Sequence, residues 1–388
     1  MTGRVVLHIG AMKSGTSYLQ SSIYANRQAL VEQGVVPAGE SWGAQIAAAV
    51  GIRGLGQTMT GDDTAGAWER LVRECREREG TSLISVELLA RLRKPRVRQI
   101  AADFAGMHVD VVLTLRDLNR TIPAMWQETV QNGRTWDWDT YVAAVRDSRA
   151  TRRDSPWRSR PDNSIERAFW ANHDAAAIVE RWAAVATDGR VKVVTVPRPG
   201  EAPGLLLDRF AEAVGFDASG FVDAARTNSS LGVLSTEALR LLNLELNARG
   251  RVFPYAMYLR KRVLAKRLMV TRASAEPRIA FPVPSWVGRT SRRQVRQLKR
   301  SGVRLYGDWK DLRPVPLTTG VDPMRVSPAD VADAMRDGYR MFRAHLEERR
   351  PVIGLPPVWA GDGGPEAVLR DGAAALADLI EAGEAHDG

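Results

Sequence analysis

Residues 5–17 read Val-Val-Leu-His-Ile-Gly-Ala-Met-Lys-Ser-Gly-Thr-Ser, an apolar strand, a turn bounded by two glycines and a helix start. That opening constrains the chain to an α/β arrangement in which a strand feeds a helix through a loop built to meet an anion. Amides at the start of a helix lack intrahelical acceptors and stand at the positive end of its dipole. They therefore bind negative charge, and Gly10 and Gly15 let the main chain approach it closely.

The two glycines have the spacing of the nucleotide-triphosphate loop G-x-x-x-x-G-K-[ST], but Thr16 stands where that loop has its lysine. The lysine is instead Lys13, inside the loop and before Ser14, where an ammonium reaches an oxygen bridging a phosphate and the group being transferred. Ser14, Thr16 and Ser17 offer hydroxyls to the same anion. A glycine turn with a capping serine is the plainer reading of these five residues. The run Lys13-Ser14-Gly15-Thr16-Ser17 resembles the 5′-phosphosulfate-binding loop, K-[ST]-G-[ST]-[ST], of sulfotransferases that use 3′-phosphoadenosine-5′-phosphosulfate (PAPS).

A second segment, Val109 to Leu115, is a mostly apolar run of the kind that forms a buried parallel strand, followed by Arg116-Asp117 and a helical stretch. Arg116 then stands at a strand's C-terminal end, where open α/β sheets bind ligands and where a guanidinium fork grips phosphate. A surface salt bridge with Asp117 is the alternative. In sulfotransferases the matching junction carries an arginine and, eight residues on, a serine, both on the 3′-phosphate of PAPS. Here the eighth residue is Ala124, preceded by Pro123, and Arg120 is the substitute within reach on the same helical face. Residues 115–128 together with the opening loop look like the actinobacterial branch of the family. The resemblance extends weakly through 169–174, the strand 191–196 ending at Pro197, and Asn228-Ser229-Ser230-Leu231-Gly232, covering the first 235 residues.

Sulfuryl transfer to a hydroxyl needs a base for the acceptor's proton. Residues 81–86 read as a strand with Glu87 at its C-terminal end, and related sulfotransferases place a glutamate or histidine after a comparable strand; Glu87 is therefore the expected base, against its role as a helix-capping carboxylate. His8 is the runner-up, although its place in an apolar strand favours a buried core histidine. His173 lies between two helical segments and either caps one or touches substrate. The resemblance implies in-line transfer in which Glu87 takes the proton while Lys13 and the loop amides stabilise the departing phosphate. No His/Cys cluster has metal-ligand spacing, and no metal is expected.

Strands at 4–9, 81–86 and 109–115, alternating with helices at 16–33, 67–78 and 95–105, give a P-loop-type parallel sheet flanked by helices, followed by a helical, basic C-terminal part. Three regions are expected: a PAPS-binding core at 1–235, a helical basic extension at 236–348, and a linker with an acidic terminal helix at 349–388. The Gly-rich stretch 34–66 reads as a surface loop or an acceptor lid, and 150–164 as a polar, Pro-containing insertion. Of 388 residues one is cysteine, Cys75, which fits a reducing compartment; neither a membrane-spanning run nor a secretory leader is evident, so a cytoplasmic location is expected.

Positive charge is regional. Residues 250–313 hold 17 Lys/Arg against 3 Asp/Glu, whereas the whole chain is +10. Within this stretch 255–272 mixes cations with Leu, Met and Tyr at helical spacing, a pattern for a helix docked on the core with a solvated basic face, or for peripheral contact with an anionic inner membrane face or a lipid-linked acceptor. No nucleic-acid motif accompanies it, and no specific nucleic acid is expected. Residues 292–300 read as another solvated face, and the acidic helix at 366–383 as a partner for the basic region. The resemblance implies a sulfotransferase that moves a sulfuryl group from PAPS to a hydroxyl of a small molecule, glycan or glycolipid, releasing 3′-phosphoadenosine-5′-phosphate (PAP). A P-loop kinase using ATP and magnesium, or a noncatalytic nucleotide-binding protein, are the alternatives.

Overall fold

The computed structural model describes residues 3–56, 63–148, 164–223, 230–252, 254–349 and 354–387. The expected features at 150–163, 228–229 and 350–353 lie outside these residues. In chain order the elements begin β1 (Arg4–His8), α1 (Thr16–Ala25), α2 (Arg27–Glu32), β2 (Val35–Pro37), α3 (Trp42–Gly51), α4 (Ala67–Glu77), β3 (Thr81–Ser85), α5 (Lys94–Asp103) and β4 (His108–Leu115). There follow α6 (Leu118–Gln131), α7 (Trp138–Asp147), α8 (Ile165–His173), α9 (Ala175–Trp182), β5 (Lys192–Thr195) and α10 (Leu205–Val214). The last are α11 (Val233–Ala248), α12 (Ser285–Arg300), β6 (Arg304–Tyr306), α13 (Pro328–Arg349) and α14 (Pro365–Asp387).

The chain divides into two compact units, each assembled from three separated stretches: Met1–Thr121, Ala144–Asn228 and Val283–Val315 form unit 1, and Ile122–Ala143, Ser229–Pro282 and Pro316–Gly388 form unit 2. Unit 1 holds one six-stranded, all-parallel sheet in the order β2-β3-β1-β4-β5-β6. Because successive strand residues point to opposite faces, Val5, Leu7 and Ile9 join one core with Trp68, Phe104 and Trp182, while Val6 joins another with Leu19, Ile23 and Phe210. Both faces are covered by helices, which is why the central strands carry apolar residues on both faces rather than in strict alternation. The chain leaves β1 toward β2 on one side, and β4 toward β5 on the other. These neighbouring strands therefore frame a topological switch point, whose crevice lies beyond their carboxyl ends.

Two expectations about local structure are corrected. The helix read at 16–33 is two helices, broken at Asn26, whose side-chain amide donates to the Ser22 carbonyl (2.9 Å) and whose Oδ1 accepts from the Val222 amide (2.7 Å). That asparagine trades helix continuity for a clasp on a segment 196 residues away. The stretch 34–66 is not a plain loop: it contains the edge strand β2 and helix α3, the latter capped by Ser41, whose hydroxyl accepts from Ala44 N at 3.3 Å.

Unit 2 is helical, built on α11, α13 and α14. Its basic stretch winds as a π-helix over Tyr258–Leu268 and a 3-10 turn over Met269–Ser274, with Leu259, Val263 and Leu264 buried. The wider π coil also buries two cations: Arg260 is fully buried and Lys261 donates to Glu128 Oε1 at 2.7 Å. The apolar side of this segment is thus used inside the unit, and Arg262, Lys266 and Arg267 are exposed. The acidic terminal helix meets basic residues: Arg249 pairs with Asp378 at 2.6 Å and Arg251 with Glu381 at 3.0 Å. Among the described residues, no helix is long and apolar enough to cross a membrane.

Candidate functional site

Register places the predicted site residues. His8 of β1 is level with Ser85 of β3 and Val112 of β4. Two residues further along each segment stand Gly10, Glu87 and Thr114, on neighbouring strands about 4.8 Å apart; β1 and β3 have ended there, while β4 continues to Leu115 and delivers Arg116 two residues further on. The pairing persists past the strand ends through Val86 N to His8 O (3.0 Å) and Ala11 N to Thr114 O (3.0 Å).

The loop is tightly wound. Gly10 (φ +33°) and Gly15 (φ +81°) are left-handed, and a Cβ would lie 2.4 Å from Thr16 Cγ2 in the first case and 2.4 Å from Leu206 Cδ2 in the second. Lys13, half-buried, is also left-handed at φ +61°, a conformation that costs a lysine about 1–3 kcal/mol. Helix α1 opens with the amides of Gly15, Thr16 and Ser17 making no backbone hydrogen bond among the described residues. Thr16 is buried and Ser17 exposed.

Not every predicted ligand is available. The Ser14 hydroxyl donates to the Ala11 carbonyl and lies 2.7 Å from Thr114 Oγ1, holding the loop to β4. Arg120 gives its Nε to Asp117 and an Nη to the Pro197 carbonyl (3.2 Å). Arg116 differs. One Nη approaches the Lys13 carbonyl at 3.5 Å, while its buried Nε has no partner among the described residues. Burial, reinforced by Arg120, pulls its pKa down to about 10, so at neutral pH it is a charged group in costly surroundings that an anion would relieve.

The other wall of this crevice contains His173, expected either to cap a helix or to touch substrate, together with Ser291 and Gln294, which sequence reasoning missed. A cavity of about 20 Å³, room for one water molecule, is bordered by Met12, Ser14, Arg116, His173, Ser291 and Gln294. His173 Nε2 and Ser291 Oγ, like Arg116 Nε, are buried without a hydrogen-bond partner among the described residues, and Gln294 donates to the His173 carbonyl at 2.9 Å. The signal for Ser291 and Gln294 in the sequence was their place on the stripe of Val287 and Leu298 on α12, inward positions taken by polar residues within a helix read as a solvated basic face.

Glu87, half-buried, opens the 3-10 turn Glu87–Leu89 and accepts a hydrogen bond from Gln20 Nε2 at 3.0 Å; the same amide group donates to Ser85 O at 3.0 Å. Gln20 belongs to α1, whose first turn closes the loop, so one helix fixes loop and carboxylate together.

Under the loop lies a buried polar chain in which His8 Nδ1 meets Ser85 Oγ at 2.8 Å and its Nε2 meets Thr114 Oγ1 at 3.3 Å. With both nitrogens engaged, His8 supports the loop from within. Burial drives the pKa of His8 and of His173 down from 6.5 to about 3, so both imidazoles are neutral in the folded protein. The unfolded chain binds protons the folded one refuses. Stability is therefore full above about pH 6.5 and falls as pH drops toward about 3, by about 1.4 kcal/mol per pH unit for each histidine. Urea unfolding at stepped pH values should show a shallower decline for His8→Gln than for the wild type; parallel slopes would refute the neutral buried state.

The arrangement offers an anion two features, the helix amides without backbone partners among the described residues and the half-buried cations Lys13 and Arg116, and it sets a carboxylate, Glu87, level with Gly10 at the end of the adjoining strand. No protein-family model, no curated protein and no solved structure matches this chain.

Proposed function

We propose that the chain is a sulfotransferase that moves a sulfuryl group from PAPS to a hydroxyl of a small molecule, glycan or glycolipid. The observation that carries this reading is the pairing, at the switch point, of a glycine-bounded phosphate loop with its lysine inside the loop and an arginine whose buried Nε lacks a partner among the described residues. The residues fit the donor's anionic end: glycines 10 and 15 clear the approach that a Cβ would block, and the amides of Gly15, Thr16 and Ser17 point out of the first turn of α1.

PAPS would supply the activated sulfuryl group. Lys13 would hold the phosphate oxygens and the charge that grows on them, and Arg116 would hold a second phosphate. Glu87, kept in place by Gln20, would accept the acceptor's proton. Ser14 shapes the loop rather than donating to the ligand, and Arg120 orients Asp117, so the 3′-phosphate contacts expected near Ala124 fall to Arg116.

Calorimetric titration with PAP, and separately with ATP and magnesium, tests the donor class. Metal-independent PAP binding, weakened at least about ten-fold by Arg116→Ala, is the expected result, since one charge-assisted contact is worth about 1.5–3 kcal/mol. Preference for ATP with magnesium would instead favour the kinase reading. Radiolabelled PAPS whose sulfur passes to no acceptor in a cell extract would favour a noncatalytic binder.

A further inference from the structure

Unit 1 contains a second concavity, of about 610 Å³, a size that encloses a small-molecule ligand. Its rim begins at Arg53, which follows α3. It continues through Arg91, Arg93, Lys94 and Arg96, where the chain passes from the turn after β3 into the first turn of α5. Arg167 on α8 and Arg181 on α9 complete it. Among the described residues, seven around the pocket are cations and one, Glu180, is an anion.

Nothing in the chain's general composition produces this. The excess positive charge belongs to residues 250–313, none of which line the pocket, and the remainder of the chain is net negative. Against that acidic background, these seven cations are gathered around one concavity. Helix α5 adds to the field, because its positive end opens here with Lys94 and Arg96 and no acidic residue in its first turn. Arg53, Arg91, Arg167 and Arg181 are half-buried, so their charges are incompletely screened by water. The wall is also braced: Arg181 donates to the Ala90 carbonyl at 3.0 Å, and Arg96 to Gln99 Oε1 at 2.9 Å. Cations fixed around a concave, weakly screened surface focus potential and concentrate multivalent anions.

We propose that this pocket binds a small molecule bearing three or more phosphate or sulfate groups. It is distinct from the loop at Gly10–Gly15, whose residues do not line it, and its occupation does not depend on what the loop binds.

Titration of the full chain with tripolyphosphate, and separately with sucrose octasulfate, at physiological ionic strength tests this. Saturable binding of at least one is expected, and which of the two binds distinguishes phosphate from sulfate esters. The double variant Arg93→Glu/Lys94→Glu, at two exposed positions, should weaken it at least about ten-fold, with thermal melting showing the fold retained. Binding should persist in Lys13→Ala and stay within about two-fold in Arg296→Glu, which reverses an exposed cation on α12 outside the pocket. The proposal fails if neither anion binds, if the double variant binds as tightly as the wild type, if Arg296→Glu weakens binding as much as the double variant, or if binding vanishes in Lys13→Ala.

Discussion

Replacement of Lys13 by alanine is expected to slow sulfuryl transfer from PAPS by about a hundred- to a thousand-fold, corresponding to about 3–4 kcal/mol of barrier. As the bond to sulfur breaks, negative charge accumulates on the departing phosphate. In the proposed reaction the half-buried Lys13 ammonium would stabilise that charge without reorganising, which water in an open loop does not do. The loss should fall mainly on kcat, because the interaction strengthens as charge develops, while the amides of Gly15, Thr16 and Ser17 continue to hold the ground-state anion. Lys13→Gly adds an independent check. It relieves the left-handed backbone strain at φ +61°, so it should match or exceed the wild type in thermal stability while losing the same activity. Transfer within about three-fold of wild type in both variants would remove Lys13 from the chemistry.

Glu87→Gln is expected to lower kcat by about a hundred- to ten-thousand-fold while leaving PAP affinity nearly unchanged. The amide has the size of the carboxylate and retains an oxygen that can accept from Gln20, so the local structure should survive, but it has no basicity to receive the acceptor's proton. Gln20→Leu should produce a smaller fall in kcat, since it removes the group that orients Glu87 rather than the base itself. Retained turnover in Glu87→Gln would mean that the proton leaves by another route. The neutral His173 across the crevice, with its unpartnered Nε2, would be the next residue to replace.

Much of unit 1 was legible because its signals are local. The runs at 4–9, 81–86 and 109–115 carry apolar residues on both faces, as parallel strands covered on both sides do, and they appear as β1, β3 and β4. Helices α4 and α5 likewise follow their periodicity. Glycine and short polar residues concealed β2 and α3, since a three-residue edge strand has too little length to show a period. Asn26 was invisible as a helix break because its cause is a hydrogen bond to Val222, which no window along the chain can contain.

The sequence alone determined the loop. Glycines 10 and 15 permit its left-handed backbone, the lysine lies within it, and the strand before it and the helix after it fix where it begins and ends. Only the tertiary structure decided which predicted side chains stay available to a ligand. Arg116 and Arg120 look equivalent in the chain, four residues apart, yet Arg120 is spent on Asp117 and on Pro197, 77 residues away, whereas Arg116 keeps a buried nitrogen without a partner among the described residues. The same folding set Ser291 and His173 beside the loop. The physical reason is that hydrogen-bond partners and desolvation belong to the space between elements, and the order of strands in the sheet, which fixes that space, comes from packing both faces at once.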